Sequence, residues 1–478
     1  MRLAPLFLLC GLAALSPFCA AQPDYLRDAR HVTPAPADPA IARAIAGIQP
    51  ARIHSILEKL VSFQTRNSLS SMEQDLPAGT GINAAADWIF GQFQQISTDC
   101  GGCLEVKRDT FMADPKSTEG SAWAKRIPSP TRMTNVYAIL RGHDPALASV
   151  MYLVTGHYDS RNSNVMDDHG FAPGANDDAS GVAVSLESAR VLSKLHLSAT
   201  LVFVPVAGEE QGLVGSAHLA KLARDEGWKL EGVLNNDIVG GNTTPGDKLQ
   251  LKDRVRVFSE GVPASATPQQ QRRIRALGGE NDSPSRELAR AIADVDRTYF
   301  PTAGKVPFHA FLVSRPDRYL RGGDHSSFNS EGFAAVRLTE WREDYNHQHQ
   351  NVVRTANPVL GDLLDFVDFT YVAKVARLNA ATLATLASSP GEPANMKFDA
   401  HEMENSTALS WDPAPGKVDH YDLLWRETTA PEWQYVRRVP PAPGNGAISV
   451  KVPISKDNVI FGVRAVDAAG HRGLVVVP

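Results

Sequence analysis

Between residues 135 and 239 the chain repeats one rhythm, a short apolar run followed by an amphipathic segment and then another apolar run. Runs at 135–140, 150–154, 200–206 and 233–238 have the length of buried strands. The segment 181–195 and the one after Gly215 instead carry apolar residues at three- and four-residue spacing, the period of a helix. Helical spacing also marks 39–48, 51–62 and 84–96 upstream and 286–295 and 358–384 downstream, with further strands expected at 308–313 and 334–339. Buried strands interleaved with one-sided helices cannot close as a bundle or a barrel of hairpins. The fold expected is α/β, a mixed central sheet with helices on both faces. The stretch 240–279, rich in Gly, Pro and charge around one strand at 255–259, reads as a surface loop or insertion.

The rhythm stops at a linker. With 478 residues the chain exceeds what one core organises, so a second unit is expected. Ser388, Ser389, Pro390, Gly391 and Pro393 separate a body at 38–387 from a tail at 397–478, the linker being 388–396. In the tail, turns recur every several residues and Leu409, Trp411, Tyr421, Leu423 and Trp425 alternate as inward faces of a small all-β sandwich would. With Ser410-Trp411-Asp412-Pro413 and Val463-Arg464-Ala465-Val466-Asp467, it resembles a fibronectin type III domain. Phe461 stands where such domains often carry a tyrosine.

Arg2, the apolar run from Leu3 to Phe18 and the small residues Ala20 and Ala21 read as a secretory signal peptide over 1–21. The apolar core is too short to span a bilayer and nothing similar recurs downstream, so a soluble secreted or periplasmic protein is expected, without stable membrane insertion. Residues 22–37, rich in Pro, Asp and Ala, read as a flexible leader. Once the signal is gone, Cys100 and Cys103 are the remaining cysteines, and an oxidising compartment predicts a disulfide between them. An apolar content of 43%, a charged content of 21% and a formal charge of -5 describe an ordinary globular protein. No basic run or phosphate-cradling Gly motif appears, which excludes nucleic acid as a partner. Nothing in the chain speaks to its oligomeric state.

Acids and histidines gather behind the apolar runs. The run ending at Val154 leads into Thr155-Gly156-His157-Tyr158-Asp159, putting an imidazole and a carboxylate beyond a strand end, where ligands of open sheets bind. If His157 holds a metal, Asp159 suits the task of fixing its tautomer. Pro173-Gly174-Ala175-Asn176-Asp177-Asp178-Ala179-Ser180-Gly181 opens a helix of small residues. Capping alone would explain acids there, but the small residues imply tight packing, and Asp177 is a candidate bridge between two cations. The run 200–206 ends in Glu209-Glu210, a pair that can divide labour, one acid on a metal and its neighbour facing a water. Asp237 stands at the end of the run 233–238. Late in the chain, Asp344-Tyr345-Asn346-His347-Gln348-His349 offers two competing histidines. Asp324-His325 reads as a helix start whose histidine lies behind the ligands.

This order, His-x-Asp, Gly-Ala-Asn-Asp-Asp-Ala-Ser-Gly, Gly-Glu-Glu-Gln-Gly, Asn-Asp and a late Tyr/His segment, resembles the secreted co-catalytic di-zinc aminopeptidases over about residues 50–385. The resemblance implies two zinc ions, His157 and Asp237 on one, Glu210 and a late histidine on the other, and Asp177 between them. It also implies Glu209 as general base, Asp159 as the acid behind His157, and an unusual peptide bond before Asp178. The family's late pattern has a Tyr directly before the histidine and an acid four residues after it. Asn346 and Asn351 hold those places here, and the spacing selects His347 over His349. The expected partners are peptides or proteins, and the expected activity is removal of N-terminal residues. The same family contains single-zinc glutaminyl cyclases, carboxypeptidases and dipeptidases, and receptors without zinc. A zinc-dependent binding protein would be expected to lack Glu209.

Overall fold

The computed structural model describes residues 22–478 apart from 28, 121–122, 302–306 and 402. The signal peptide expected at 1–21 lies outside the described residues. A two-residue strand, β1 (Arg30–His31), precedes eight strands that form one sheet: Leu104–Ala113 (β2), Thr131–Leu140 (β3), Val150–His157 (β4), Thr200–Val206 (β5), Lys229–Asn236 (β6), Arg254–Ser259 (β7), His309–Val313 (β8) and Ala335–Glu340 (β9). Their order is β2-β3-β5-β4-β6-β9-β7-β8. The central four, β5, β4, β6 and β9, run parallel, whereas β2 and β3 pair antiparallel with their neighbours and β7 is antiparallel to β9 but parallel to β8. Parallel neighbours require crossovers, which the helices Ala179–Leu192 and Val214–Asp225 supply.

Burial follows from this arrangement. Every residue of β5 is buried, as expected of a strand covered on both faces. One face packs against the helices Pro50–Val61, Ala179–Leu192 and Phe369–Ser388 around Leu57, Val182, Phe203 and Leu383. The other carries Val202, Val204, Leu219 and Phe328, covered by Val214–Asp225 and Asp324–Ser330. The α/β expectation is therefore met, with differences at three places. The edge strand β2 is buried only at its ends, Leu104 and Ala113, and carries Lys107, Arg108 and Asp109 half-buried or exposed between them, too polar to read as a buried run. The last helix starts at Phe369 rather than 358, because the Asp368 side chain accepts from the Thr370 and Tyr371 backbone amides and caps it there. The segment 240–279 holds a helix, Pro268–Leu277, with no buried residue.

Beyond the body, Ala394–Phe398 (β10), Thr407–Asp412 (β11), His420–Glu427 (β12), Tyr435–Val439 (β13), Ile448–Val452 (β14) and Val459–Val466 (β15) form two small antiparallel sheets, β1-β13-β12-β15 and β10-β11-β14. β10 begins inside the segment read as linker. Trp411, Leu423, Trp425 and Val463 lie between the sheets. The flexible leader is corrected here: Tyr25 and Leu26 pack on that core, Arg30 and His31 pair with Val436 and Tyr435, and Trp425 Nε1 donates to Tyr25 O at 2.9 Å. Its Pro-rich composition gave no sign of a strand because its partners lie some 400 residues downstream. Asp294 of the helix Pro284–Tyr299 ties the tail to the body through Arg464 (2.9 Å) and Arg472 (3.0 Å), and Trp433 Nε1 donates to Glu287 Oε2 at 2.9 Å. Cys100 and Cys103 form a disulfide. Among the described residues no helix is long and apolar enough to cross a membrane.

Candidate active site

Because β4, β5 and β6 run parallel, the residues that follow them emerge on one edge of the sheet. His157 is the last residue of β4, Glu209 and Glu210 follow β5, and Asp237 follows β6. Asp177 arrives from the loop that leads β4 into its helix. That loop is held tightly: a Cβ on Gly156 would lie 2.5 Å from Gly181 C, so only glycine lets the strand end approach the helix start. Asp178 locks the contact, accepting from the backbone amides of His157 (3.0 Å), Gly181 (3.0 Å) and Ile238 (3.3 Å). The peptide bond Asp177–Asp178 is cis.

Two groups of donor atoms result. His157, Glu209 and Asp237 form one and Asp177, Glu210 and His349 the other, the offered atoms of each lying within 4.8 Å of one another. Asp177 stands between them, with Oδ1 3.1 Å from His157 Nε2 and Oδ2 2.8 Å from His349 Nε2. His349 Nε2 is also 2.9 Å from Glu210 Oε1, and His157 Nε2 is 4.0 Å from Asp237 Oδ1. Yet His157 Nε2 and Glu210 Oε1, both buried, complete no hydrogen bond. Buried polar atoms are rarely left so, and nitrogen and oxygen donors converging on a common centre fit a cation. Imidazole nitrogen and carboxylate oxygen are the donors zinc takes.

The electrostatics agree. Burial, then the carboxylates of Glu210, Asp237 and Asp324, push the Glu209 pKa well above the usual glutamate range against the pull of His157. Burial alone would lower His349, but Glu210 and Asp177 push it up to about 10; Asp177 itself, against the effect of burial, is held well down by His349 and His157. Protons on the histidines here do what a metal cation would do, neutralising crowded acids.

Asp159 stands beside His157 and the two glutamates. Its carboxylate accepts from the backbone amides of Glu209 (3.3 Å) and Glu210 (3.1 Å) and lies 3.5 Å from His157 Nδ1. One acid thereby fixes both the imidazole and the turn carrying the two glutamates.

His347 is a correction. Its ring stacks on Phe366 at 3.6 Å between centroids and 11° between planes, with Nδ1 3.3 Å from Asn242 Oδ1. His349 takes the place beside Asp177 and Glu210. The chain turns at His349, whose φ of 55° is left-handed, and this aims its ring inward. Spacing in sequence carries no record of that turn.

Several supporting residues had no sequence signal. Asp362 accepts from the backbone amides of Asn176 (2.8 Å) and Asp177 (2.7 Å) across 185 residues. Arg66, fully buried, donates to the carbonyls of Tyr158, Leu60, Pro173 and Gly174. Arg337 on β9 lies 2.9 Å from Asp237 Oδ1 and 3.3 Å from Asp317. His325 lies against Pro316 O at 2.9 Å, and burial lowers its pKa to about 4. A cavity of about 250 Å³ opens over the donor groups, lined in part by Trp123, Leu320 and His349.

Strand-end acids and histidines grouped around a shared carboxylate define a metal-dependent hydrolase. The sequence matches Peptidase family M28 over residues 135–363. A probable zinc metalloprotease of Pyricularia oryzae is 44% identical over 450 residues, covering 92% of this chain and 84% of the relative. Another, of Leptosphaeria maculans, is 40% identical over 451 residues, covering 94% and 98%. The Legionella pneumophila LapA aminopeptidase superposes with a TM-score of 0.48 at 19% identity, covering 75% of this chain and 77% of that one. The chain belongs to peptidase family M28 and is a zinc metalloprotease.

Proposed function

We propose that this metalloprotease is an exported aminopeptidase with two zinc ions per chain. His157 and Asp237 would hold one ion, Glu210 and His349 the other, and Asp177 would bridge them. The observation that carries this reading is the position of Asp177, each of whose oxygens faces a different histidine, at 3.1 and 2.8 Å. A carboxylate so placed has one oxygen for each of two cations.

Zinc bound there supplies Lewis acidity, polarising a scissile carbonyl and lowering the pKa of a water to about 7. The chain does the rest. Glu209, beside the His157 group and lining the cavity, takes the water's proton and hands it to the leaving amine. Asp159 keeps His157 and the Glu209–Glu210 turn in register. The free N-terminal amine of a peptide substrate meets the acids of the cavity. For the tail we infer a fibronectin type III-like unit, supported by its two small antiparallel sheets, each with three strands of the tail and one of them completed by β1 of the leader.

Metal analysis together with hydrolysis of free and N-acetylated peptides tests the reading. Two zinc ions and cleavage confined to free N-termini are expected. Equal cutting of blocked peptides would remove the aminopeptidase assignment, and one ion with cyclisation of N-terminal glutamine would mark a glutaminyl cyclase instead.

A further inference from the structure

Arginines dominate the cavity wall. Arg126, Arg161, Arg318, Arg321 and Arg337 line it, outnumbering the four acids of the donor groups. Three of them are answered from behind. Arg337 meets Asp237 and Asp317, Arg318 meets Asp317 (2.9 Å) and Glu343 (2.6 Å), and Arg321 meets Glu343 (3.4 Å). The other two, Arg126 and Arg161, are answered less fully. Arg161 reaches Glu210 Oε2 through Nε at 3.1 Å and His349 Nδ1 through Nη2 at 2.7 Å, and its Nη1 has no partner among the described residues. Arg126 donates Nη1 to the Glu210 backbone carbonyl at 2.7 Å and makes no ion pair among the described residues.

Glu210 thus holds two guanidinium groups, one by its main chain and one by its side chain, next to the donor group it belongs to. Each is partly buried, and like charges held side by side on one wall repel each other. Two cations held side by side on a cavity wall need an anion between them, and a planar carboxylate matches the guanidinium fork. Cations bound at the donor groups would deepen the positive potential there, so an uncharged or cationic side chain gains nothing on this wall.

We propose that Arg126 and Arg161 form a carboxylate subsite, so that the enzyme prefers peptides carrying a carboxylate about one residue from the scissile bond. The inference rests on the aminopeptidase reading, and it names that site's substrate class. The carboxylate has two possible sources: an acidic first side chain, or the free C-terminus of a dipeptide.

Four substrates and the zinc-loaded full-length protein separate these sources: Ala-Ala, Ala-Ala amide, Glu-Ala amide and Gln-Ala amide. Charge-assisted hydrogen bonds predict a preference in kcat/KM on the order of tenfold to a hundredfold within one pair. Ala-Ala over its amide assigns the C-terminus, and Glu-Ala amide over Gln-Ala amide assigns the side chain. The ratio should collapse toward one in Arg126→Gln and recover in part in Arg126→Lys. Because it is read within each protein, a general loss of activity does not imitate it. Calorimetric titration of zinc-loaded Glu209→Gln protein should give the same ratio in Kd. Ratios within twofold of one for both pairs, in catalysis and in binding, overturn the proposal. Failure to cut any of the peptides would instead overturn the aminopeptidase reading, and the calorimetric ratio would still decide this one.

Discussion

The two late histidines offer the sharpest test, since they stand two residues apart and the structure gives them different work. His349 Nε2 lies 2.8 Å from Asp177 and 2.9 Å from Glu210, one of three protein donors in its group. Losing a residue that merely orients a ligand costs roughly 10- to 100-fold in metal affinity, so losing the ligand itself should cost at least about 100-fold, or about 3 kcal/mol. His347 instead contributes a ring stack on Phe366 and a polar contact with Asn242. Its removal should cost about 1 kcal/mol of stability and no metal. Elemental analysis after dialysis against buffered zinc is the assay, with urea unfolding alongside. Two ions are expected in the parent and in His347→Ala, and one in His349→Ala with hydrolysis lost. A His347→Ala protein that loses an ion while His349→Ala keeps both would refute the assignment.

Glu209→Gln keeps the shape of the side chain and removes its proton acceptance, so kcat should fall about 10²- to 10⁴-fold with both ions retained; full activity would dismiss Glu209 as base. Zinc should raise the free energy of unfolding by about 4 kcal/mol at a thousandfold excess over its Kd, and unchanged urea midpoints with and without a chelator would contradict a folded-state metal centre. Asp294 joins body and tail: despite burial, Arg464 and Arg472 lower its pKa from 3.8 to about 2. A depressed folded pKa contributes stability that is present above pH 4 and lost as pH falls toward 2, here about 2 kcal/mol. Asp294→Asn should flatten the acid limb of a pH–stability curve, leaving Arg472 without its ion-pair partner and Arg464 with Asp422 alone, and destabilise by about 3 kcal/mol at neutral pH. An unchanged acid limb would dismiss Asp294 as its origin.

What was legible in the chain alone was whatever repeats locally. Strand β5 was readable to the residue, since seven consecutive buried positions leave an uninterrupted apolar run. The acids of the site were readable because a parallel sheet delivers the residues after its strands to one edge, so that His157, Glu210 and Asp237 each stand just past an apolar run. The edge strand β2 was not, because its solvent face breaks the pattern, and β1 was not, because two residues acquire strand character only by pairing with β13. The same physics divides the histidines. Composition offered His347 and His349 as chemical equals, and a left-handed turn at His349, set by the packing of the loop around it, decided which ring reaches Asp177. Asp362 and Arg66 hold the site through backbone groups far away in sequence. Hydrogen bonds of that kind leave no periodicity behind, so local chemistry determined the donors and the folded chain alone determined which of them meet.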